Sequence, residues 1–276
     1  MSVTAIKVLF LAVIQGIAEF LPISSSGHLA VLGQLFGLDP ESNVNLNVIL
    51  HAGTLLAILV FYFQILWRMV ADVKQWRIIW MVILGSIPAA VIGIGIKKSG
   101  YDEVIFNNLW MPGIGFLVTG LLLQFATRRA EQKHNPLELA QMTWKQALGI
   151  GFAQGIAITP GISRSGSTIS AALFCRIKPV ECAKFSFLLA IPAIGGAAFL
   201  DLLDALKPAA ETATNPAVPP LWLLMAGFAV SAVVGYFSLA VLIRILNRGK
   251  LAVFSPYLYT VGALTLALAI FRCFHP

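Results

Sequence analysis

Long apolar runs separated by short polar segments organise this chain. An apolar run of about 20 residues is long enough for a helix to cross the roughly 30 Å hydrocarbon core of a bilayer. Such a helix also pairs its backbone N–H and C=O groups within the segment, as lipid requires. The pattern therefore predicts six membrane-spanning helices, at about residues 47–67, 76–97, 106–127, 181–203, 219–246 and 251–272.

Two further apolar runs are shorter, and turn-forming residues interrupt each of them. The predicted segments are a helix at 5–21, a break from Pro22 to Gly27, a helix to about Phe36, a helix at 145–158, a break at Thr159–Ser163 and a helix to Cys175. A helix–break–helix unit with a polar tip predicts a re-entrant hairpin, since irregular backbone at membrane depth needs protein or a wet cavity around it. Two kinked spans are the alternative.

The two broken units are copies of one another. Residues Gln15–His28 read QGIAEFLPISSSGH, and residues Gln154–Ser167 read QGIAITPGISRSGS, without a gap between the copies. The identical positions are Gln, Gly, Ile, Ala, Ile, Ser, Ser and Gly. We therefore predict one membrane domain, 1–276, made of two structural repeats at 1–128 and 144–276, which bring these two stretches together.

The overall composition is that of a membrane protein. The chain is 58% hydrophobic and 11% charged, with a mean hydropathy of +0.86, whereas soluble domains carry roughly 25% charged residues. The net charge of +7 does not indicate a nucleic-acid partner, because the basic residues fall in short loops. The partners expected from composition are membrane lipids.

Basic residues mark four of the loops, which are expected to face the cytoplasm. They are Arg68, Lys74 and Arg77, then Arg128, Arg129, Lys133 and Lys145, then Arg176 and Lys178, and finally Arg244, Arg248 and Lys250. Asp39–Asn47 is a predicted polar loop, and the linker Lys207–Pro220, with one Lys, is expected on the outer side. Lys97 and Lys98 depart from the pattern, but Asp102 and Glu103 lie nearby. Both termini would then be periplasmic. Three spans separate the hairpins, which predicts an inverted-topology repeat with its site at the repeat interface near the bilayer midplane.

Gln15 and Glu19 stand four residues apart, on one face of the first short helix. A charged side chain at the bilayer centre costs on the order of 3 kcal/mol, so such a residue is a functional candidate by default. A purely structural ion pair is the alternative for Glu19.

The polar tips have the composition of an anion-binding site. Each lies where a helix begins, and a helix N-terminus offers unpaired N–H groups and partial positive charge. Arg164 adds a planar cation suited to phosphate oxygens. Simple N-capping by serine is the alternative. The candidate residues are Ser24, Ser25, Ser26 and Gly27 in the first tip and Ser163, Arg164, Ser165, Gly166 and Thr168 in the second.

Two histidines lie inside apolar segments. His28, at the first tip, is a candidate acid, base or nucleophile. His51 is equally well explained as a hydrogen-bonded core histidine.

At these residues the sequence resembles the undecaprenyl-diphosphate phosphatase family, the bacitracin-resistance membrane phosphatases. The matching motifs are Gln15–Glu19 followed by the Ser-rich stretch to His28, and PGISRSGST at Pro160–Thr168. The resemblance implies hydrolysis of undecaprenyl diphosphate in the bacterial inner membrane, which recycles the lipid carrier for cell-wall synthesis. It implicates Glu19, Ser24, Ser25, His28, Ser163, Arg164, Ser165 and Thr168.

The resemblance also implies dependence on a divalent cation, Mg²⁺ or alternatively Ca²⁺. Some members have Glu where this chain has Gln15, so a two-carboxylate site at 15 and 19 is not available here. Either Glu19 holds the metal with the diphosphate's own oxygens, or Gln15 adds its carbonyl oxygen. The sequence leaves open whether the chain forms a homodimer.

Three nucleophiles remain open from sequence: Ser25 activated by His28, a water activated by His28, or His28 itself. The rival function is a polyprenyl-phosphate flippase or secondary transporter, because inverted repeats with broken helices are transporter architecture.

Overall fold

The computed structural model describes residues 3–37, 40–100, 108–131, 136–205 and 219–274. Its α-helices are α1 (Val3–Ala18), α2 (Ser25–Leu35), α3 (Pro40–Phe61), α4 (Phe63–Ala71), α5 (Trp76–Ser99), α6 (Trp110–Glu131), α7 (Trp144–Ile156), α8 (Arg164–Phe174), α9 (Pro179–Ala205), α10 (Leu221–Asn247) and α11 (Ser255–Phe274). Short 3₁₀ turns lie at Val73–Gln75, Leu139–Gln141 and Leu251–Phe254.

The described part of the chain is an all-α multi-pass membrane protein, as predicted. Five of its helices are long and apolar enough to cross a membrane, and the number becomes six when the bent pair α3–α4 counts as one span. The helices α5, α6, α9, α10 and α11 match predicted spans to within about one helical turn. The predicted linker Lys207–Pro220 lies almost wholly outside the described residues.

One prediction about the third helix is wrong. The segment Asp39–Asn47 is not a loop, because α3 already begins at Pro40, with Asp39 outside the described residues. Proline fits the first helical position, where its missing N–H would have no partner within the helix. The predicted span 47–67 corresponds to a bent pair of helices, since α3 and α4 meet at an angle of 66°. The bend falls at Tyr62, which is buried.

The four short helices form two helical hairpins. At the open end of the first, the Lys7 ammonium donates to the Phe36 carbonyl oxygen at 2.7 Å. At the open end of the second, the Gln146 amide donates to the Cys175 carbonyl oxygen at 3.2 Å. The longest of the four, α1, has 16 residues and is therefore about 24 Å long. It is too short to cross a hydrocarbon core of about 30 Å.

The helices pack in matching pairs around the hairpins. Helix α1 packs against α10, and α7 packs against α5. The contact of α3 with α10 is likewise matched by the contact of α9 with α5. In addition, α6 packs against α11, and α3 packs against α9. The largest buried rings in the main core, which include Phe20, Phe116 and Phe187, lie beside the hairpin tips.

Three of the basic loops meet at one end of the molecule. Arg77 donates to the carbonyl oxygens of Ala140 and Met142, the latter at 2.5 Å. The Leu137 N–H donates to the Arg176 carbonyl oxygen at 2.7 Å. The loops after α4, α6 and α8 are therefore on the same side of the helix bundle.

Candidate active site

The two hairpin tips have the same local structure. Ser24 caps α2 by accepting the Gly27 N–H at 3.3 Å, and Ser163 caps α8 by accepting the Gly166 N–H at 3.1 Å. Each cap satisfies an N–H that has no partner inside its helix. N-capping therefore accounts for one serine in each tip, and the other tip residues remain to be explained.

The tips touch each other, as the sequence repeat predicts. A Cβ added at Gly27 would lie 2.7 Å from Gly161 Cα, so only glycine allows this approach. The Ser165 hydroxyl donates to the Leu21 carbonyl oxygen at 3.4 Å. Thr119 of α6 fixes the second tip: its hydroxyl lies 3.0 Å from the Gly161 carbonyl oxygen and accepts the Ser163 N–H at 3.0 Å.

The Glu19 carboxylate is the centre of the polar cluster between the tips. Its Oε1 accepts from Arg164 at 2.6 Å. Its Oε2 accepts from the Ser25 hydroxyl at 2.6 Å and from the Gln15 amide at 3.0 Å. Glu19 is only 6% exposed, so this pairing compensates a charge that would otherwise be costly to bury.

Helix α9 holds Arg164 from its other side. Its guanidinium donates to the Ser186 carbonyl oxygen of α9 at 3.4 Å. The hydroxyl of Thr168 donates to the backbone oxygen of Arg164 at 2.9 Å and lies 2.6 Å from the Ser186 hydroxyl. Thr168 is fully buried and therefore lies behind Arg164 rather than on the open face of the tip.

The predicted phosphate-binding residues differ in their exposure. Ser25, Ser26 and Arg164 are partly exposed at the tips. The others are buried, namely Ser24, Gly27, Ser163, Ser165, Gly166 and Thr168. Ser24 is in addition a non-glycine residue with a positive φ of 69°. Backbone in this region is uncommon and clusters at functional sites.

His28 lies at the tip but is turned away from Glu19. Its Nδ1 is 2.7 Å from the Ser24 carbonyl oxygen, and its Nε2 is 2.7 Å from the Tyr257 hydroxyl of α11. The ring also packs edge-on against Phe116. The Ser25 hydroxyl donates to Glu19 instead, so the structure brings Ser25 together with a carboxylate.

His51 adjoins the cluster. Its Nε2 lies 3.6 Å from Glu19 Oε2, and its Nδ1 lies 2.7 Å from the Asn47 carbonyl oxygen. From its position in the sequence, His51 could be either a residue of the site or a hydrogen-bonded core histidine. Sequence analysis missed three further residues of the site, because a single polar residue in an apolar helix does not indicate which neighbour it contacts. These residues are Tyr257, Ser186 and Thr119.

The cluster could hold a hard cation only with help from a ligand. Among the described residues no group of three or more His, Cys, Asp and Glu side chains is arranged to bind a metal ion. The Gln15 Oε1 atom, however, is buried without a hydrogen-bond partner. Carboxylate, amide and hydroxyl oxygens are the ligands that Mg²⁺ and Ca²⁺ prefer. Glu19, Gln15 and Ser25 therefore fit such a cation when substrate oxygens complete its shell.

Comparison with known proteins supplies the context for this geometry. The family model described as "Bacitracin resistance protein BacA" matches residues 8–264. A protein of Halothermothrix orenii named undecaprenyl-diphosphatase is 39% identical over 95% of this chain and 97% of its own length. Proteins with the same name from Carboxydothermus hydrogenoformans and Desulfatibacillum aliphaticivorans are 39% and 41% identical, over 95% of this chain and 96% and 97% of their own lengths.

Proposed function

The chain belongs to the bacitracin resistance protein BacA family, and from this premise we propose that it is an undecaprenyl-diphosphate phosphatase. It hydrolyses undecaprenyl diphosphate to undecaprenyl phosphate and inorganic phosphate. The reaction returns the lipid carrier to cell-wall synthesis and thereby confers resistance to bacitracin. The observation that carries the proposal is the contact of Glu19 with both Ser25 and Arg164 at the meeting point of two helix N-termini.

Phosphoryl transfer depends mainly on positioning and on stabilising negative charge. Arg164 supplies a guanidinium for the equatorial oxygens of the transferring phosphoryl group. The N-termini of α2 and α8 add their partial positive charges at the same place. Ser26, which is partly exposed, is positioned to bind phosphate directly. The buried residues Ser24, Ser163, Ser165 and Thr168 instead fix the shape of the tips.

Ser25 is the nucleophile that this geometry favours. Its Oγ forms a bond to the terminal phosphorus as the bond from phosphorus to the bridging oxygen breaks, and undecaprenyl phosphate leaves. The Ser25 proton passes to Glu19 Oε2, which accepts that hydrogen bond at 2.6 Å. Water then cleaves the phosphoserine, releasing inorganic phosphate and restoring the hydroxyl.

The proposed cofactor is Mg²⁺, with Ca²⁺ as the alternative. The support is the oxygen ligand set of Glu19 and the unpaired Gln15 Oε1 atom. A divalent cation held by Glu19 and Gln15 would neutralise charge on the phosphate oxygens.

An apolar groove between α3 and α10 is the proposed site of the polyprenyl tail. Its volume is about 280 Å³. It is lined by Leu56, Ala57, Val60, Ala232, Val233, Tyr236 and Phe237. The groove is close to the site: a Cβ added at Gly235 would lie 3.3 Å from Ala57 Cβ and 2.7 Å from the ring of Phe20, the neighbour of Glu19.

The proposed architecture is an inverted-topology repeat of segments 1–128 and 144–276, with both hairpins re-entrant. The paired contacts of α1 with α10 and of α7 with α5 support it, as do the short lengths of the hairpin helices. The clustering of three basic loops at one end supports a cytoplasmic location for that end and a periplasmic location for both termini. The proposed location of the protein is the bacterial inner membrane. All the site groups named above come from one chain, and a homodimer stays a prediction.

Phosphate release from undecaprenyl diphosphate by the purified protein in detergent tests the proposal. We expect release that a chelator abolishes and that Arg164→Ala lowers by about 10³-fold. The matched control is Arg248→Ala, since Arg248 is an exposed arginine at the end of α10. No release from folded protein would reject the phosphatase. The flippase alternative is not favoured, because lipid transport needs neither a nucleophile nor a proton acceptor.

A further inference from the structure

We infer that His51 is a ligand of the divalent cation in this site, through its Nε2 atom. The inference deepens the proposed function and depends on it for the chemistry that the metal serves. Metal binding itself can be measured without substrate or turnover.

The hydrogen bond at the other ring nitrogen decides which atom of His51 faces the site. Nδ1 lies 2.7 Å from the Asn47 carbonyl oxygen. A carbonyl can only accept, so Nδ1 carries a proton. In the neutral ring Nε2 therefore presents a lone pair, and it faces Glu19 Oε2 at 3.6 Å. Histidines that bind metals typically have this arrangement, in which the second nitrogen donates to a carbonyl or carboxylate.

Two acceptor atoms that face each other repel unless a proton or a cation lies between them. The separation of 3.6 Å is longer than a charge-assisted hydrogen bond, which is about 2.7–2.9 Å. Two atoms that each bind one cation at about 2.1 Å lie roughly 3 to 4 Å apart. The distance between Nε2 and Oε2 thus fits two ligands of one cation better than a direct ion pair.

The side chain of Gln15 is a second candidate ligand beside Glu19. Gln15 is 0% exposed, its amide nitrogen donates to Glu19 Oε2, and its Oε1 has no hydrogen-bond partner among the described residues. A half-turn of the amide group exchanges its two polar atoms and brings Oε1 to the Glu19 side, where it can bind the same cation. An unpaired buried carbonyl oxygen costs about 1–3 kcal/mol, which a bound cation would offset. His51 itself is 30% exposed, so an ion can reach this group from outside.

A nitrogen ligand changes which ions the site prefers. Mg²⁺ favours oxygen ligands, whereas imidazole raises affinity for first-row transition metals such as Mn²⁺. With Glu19, Gln15 and His51 together we therefore expect the protein to bind Mn²⁺ more tightly than Mg²⁺. His51→Gln should remove most of that preference.

The test is Mn²⁺ binding to the full-length, chelator-treated protein in detergent, followed by electron paramagnetic resonance. Wild-type protein should bind one Mn²⁺ whose spin-echo signal is modulated by a ¹⁴N nucleus. His51→Gln should lose that modulation and bind Mn²⁺ at least about 10-fold more weakly, with less than about a threefold change for Mg²⁺. Gln15→Ala should also weaken binding.

The repeat provides a matched control. Gln154 occupies the position equivalent to Gln15, and both polar atoms of its side chain are buried without partners in the described part of the chain. However, Ile158 stands where the first copy of the motif has Glu19. Gln154→Ala should therefore leave Mn²⁺ affinity unchanged. Bound Mn²⁺ without nitrogen modulation, or equal affinity in His51→Gln, would overturn the inference and indicate an imidazolium paired with Glu19. Phosphate release is assayed in parallel to separate the two hypotheses. Phosphate release without nitrogen modulation would reject His51 as a metal ligand but keep the phosphatase function. Nitrogen modulation without phosphate release would reject the phosphatase function but keep His51 as a metal ligand.

Discussion

The Arg164 guanidinium and the Glu19 carboxylate lie 2.6 Å apart, although 145 residues separate them in the chain. Arg164 begins a helix of the second repeat, and Glu19 follows a helix of the first. Both side chains are largely buried, at 15% and 6% exposure. This ion pair therefore joins the two hairpins, and a small part of the Arg164 side chain stays exposed.

Removing the charge of Arg164 while Glu19 stays charged should destabilise the protein as well as inactivate it. Arg164→Met leaves a buried, uncompensated carboxylate, which costs about 3 kcal/mol. Adding Glu19→Gln removes that charge, so the double variant should regain at least half of the lost stability. Activity should stay about 10³-fold below wild type in both variants. Unfolding midpoints and phosphate release, measured on the same detergent preparations, separate the two effects.

The exposed Arg248 again provides the control, because Arg248→Met removes an arginine from the surface. Its unfolding midpoint should equal that of wild type. A double variant as unstable as Arg164→Met would contradict the assignment of the ion pair as a stabilising link between the hairpins.

A covalent intermediate on Ser25 is the second expectation. Substrate labelled in its terminal phosphate, followed by rapid acid quenching, should leave acid-stable label on Ser25. Ser25→Ala should lose the label and at least about 10³-fold in kcat. Ser26→Ala should keep the label, because the Ser26 hydroxyl lies near the Ser24 hydroxyl, at 3.4 Å, rather than on Glu19.

His28→Asn separates the serine mechanism from the histidine one. Because His28 bonds to Ser24 and Tyr257, this variant should still form the labelled intermediate on Ser25. Acid-labile label that disappears with His28→Asn would identify a phosphohistidine. Direct entry of solvent oxygen into phosphate in the first turnover, with no label on protein, would identify activated water.

The sequence predicted the meeting of the tips because the signal is a repeat. Two copies of one polar motif in apolar surroundings can satisfy each other, and the structure brings Gln15–His28 and Gln154–Ser167 into contact. The long spans were predictable for a similar reason, since hydrophobic length alone decides them. The bend at Tyr62 was not, because apolar residues continue on both sides of it.

The orientation of individual site side chains could not be read from the sequence. His28 lies two residues after Ser26, the last serine of the run, yet its ring faces Tyr257, a partner 229 residues away. His51 has no motif around it, yet it reaches Glu19. Which face of a helix meets which neighbour is set by tertiary packing, and residue spacing within one helix does not contain that information.

Thr119 is expected to control the second tip through one hydroxyl. Thr119→Val keeps the shape of the side chain but leaves the buried Ser163 N–H without its acceptor. The cost should be about 1–3 kcal/mol, visible as a lower unfolding midpoint. Phosphate release should also fall, because Ser163 is next to Arg164.

Thr260→Val is the matched substitution, since the Thr260 hydroxyl donates only within its own helix, to the Pro256 carbonyl oxygen, and is exposed. It should change neither the unfolding midpoint nor activity. Equal behaviour of the two valine variants would show that the hydrogen bond from Ser163 to Thr119 does not hold the tip.

Filling the apolar groove between α3 and α10 should separate recognition of the lipid tail from chemistry at the diphosphate. Ala232→Leu and Ala57→Leu each add apolar volume to a groove of about 280 Å³. Both should raise KM for undecaprenyl diphosphate at least about fivefold, because uniform substrate binding is lost, with kcat nearly unchanged. A short-chain prenyl diphosphate, whose tail cannot fill the groove, should show less than about a twofold change in KM. Val91→Leu, on the exposed surface of α5, controls for general effects of added lipid-facing volume. If both substrates lose affinity equally, the groove does not hold the tail, and the added leucines act instead by displacing Phe20 and with it Glu19.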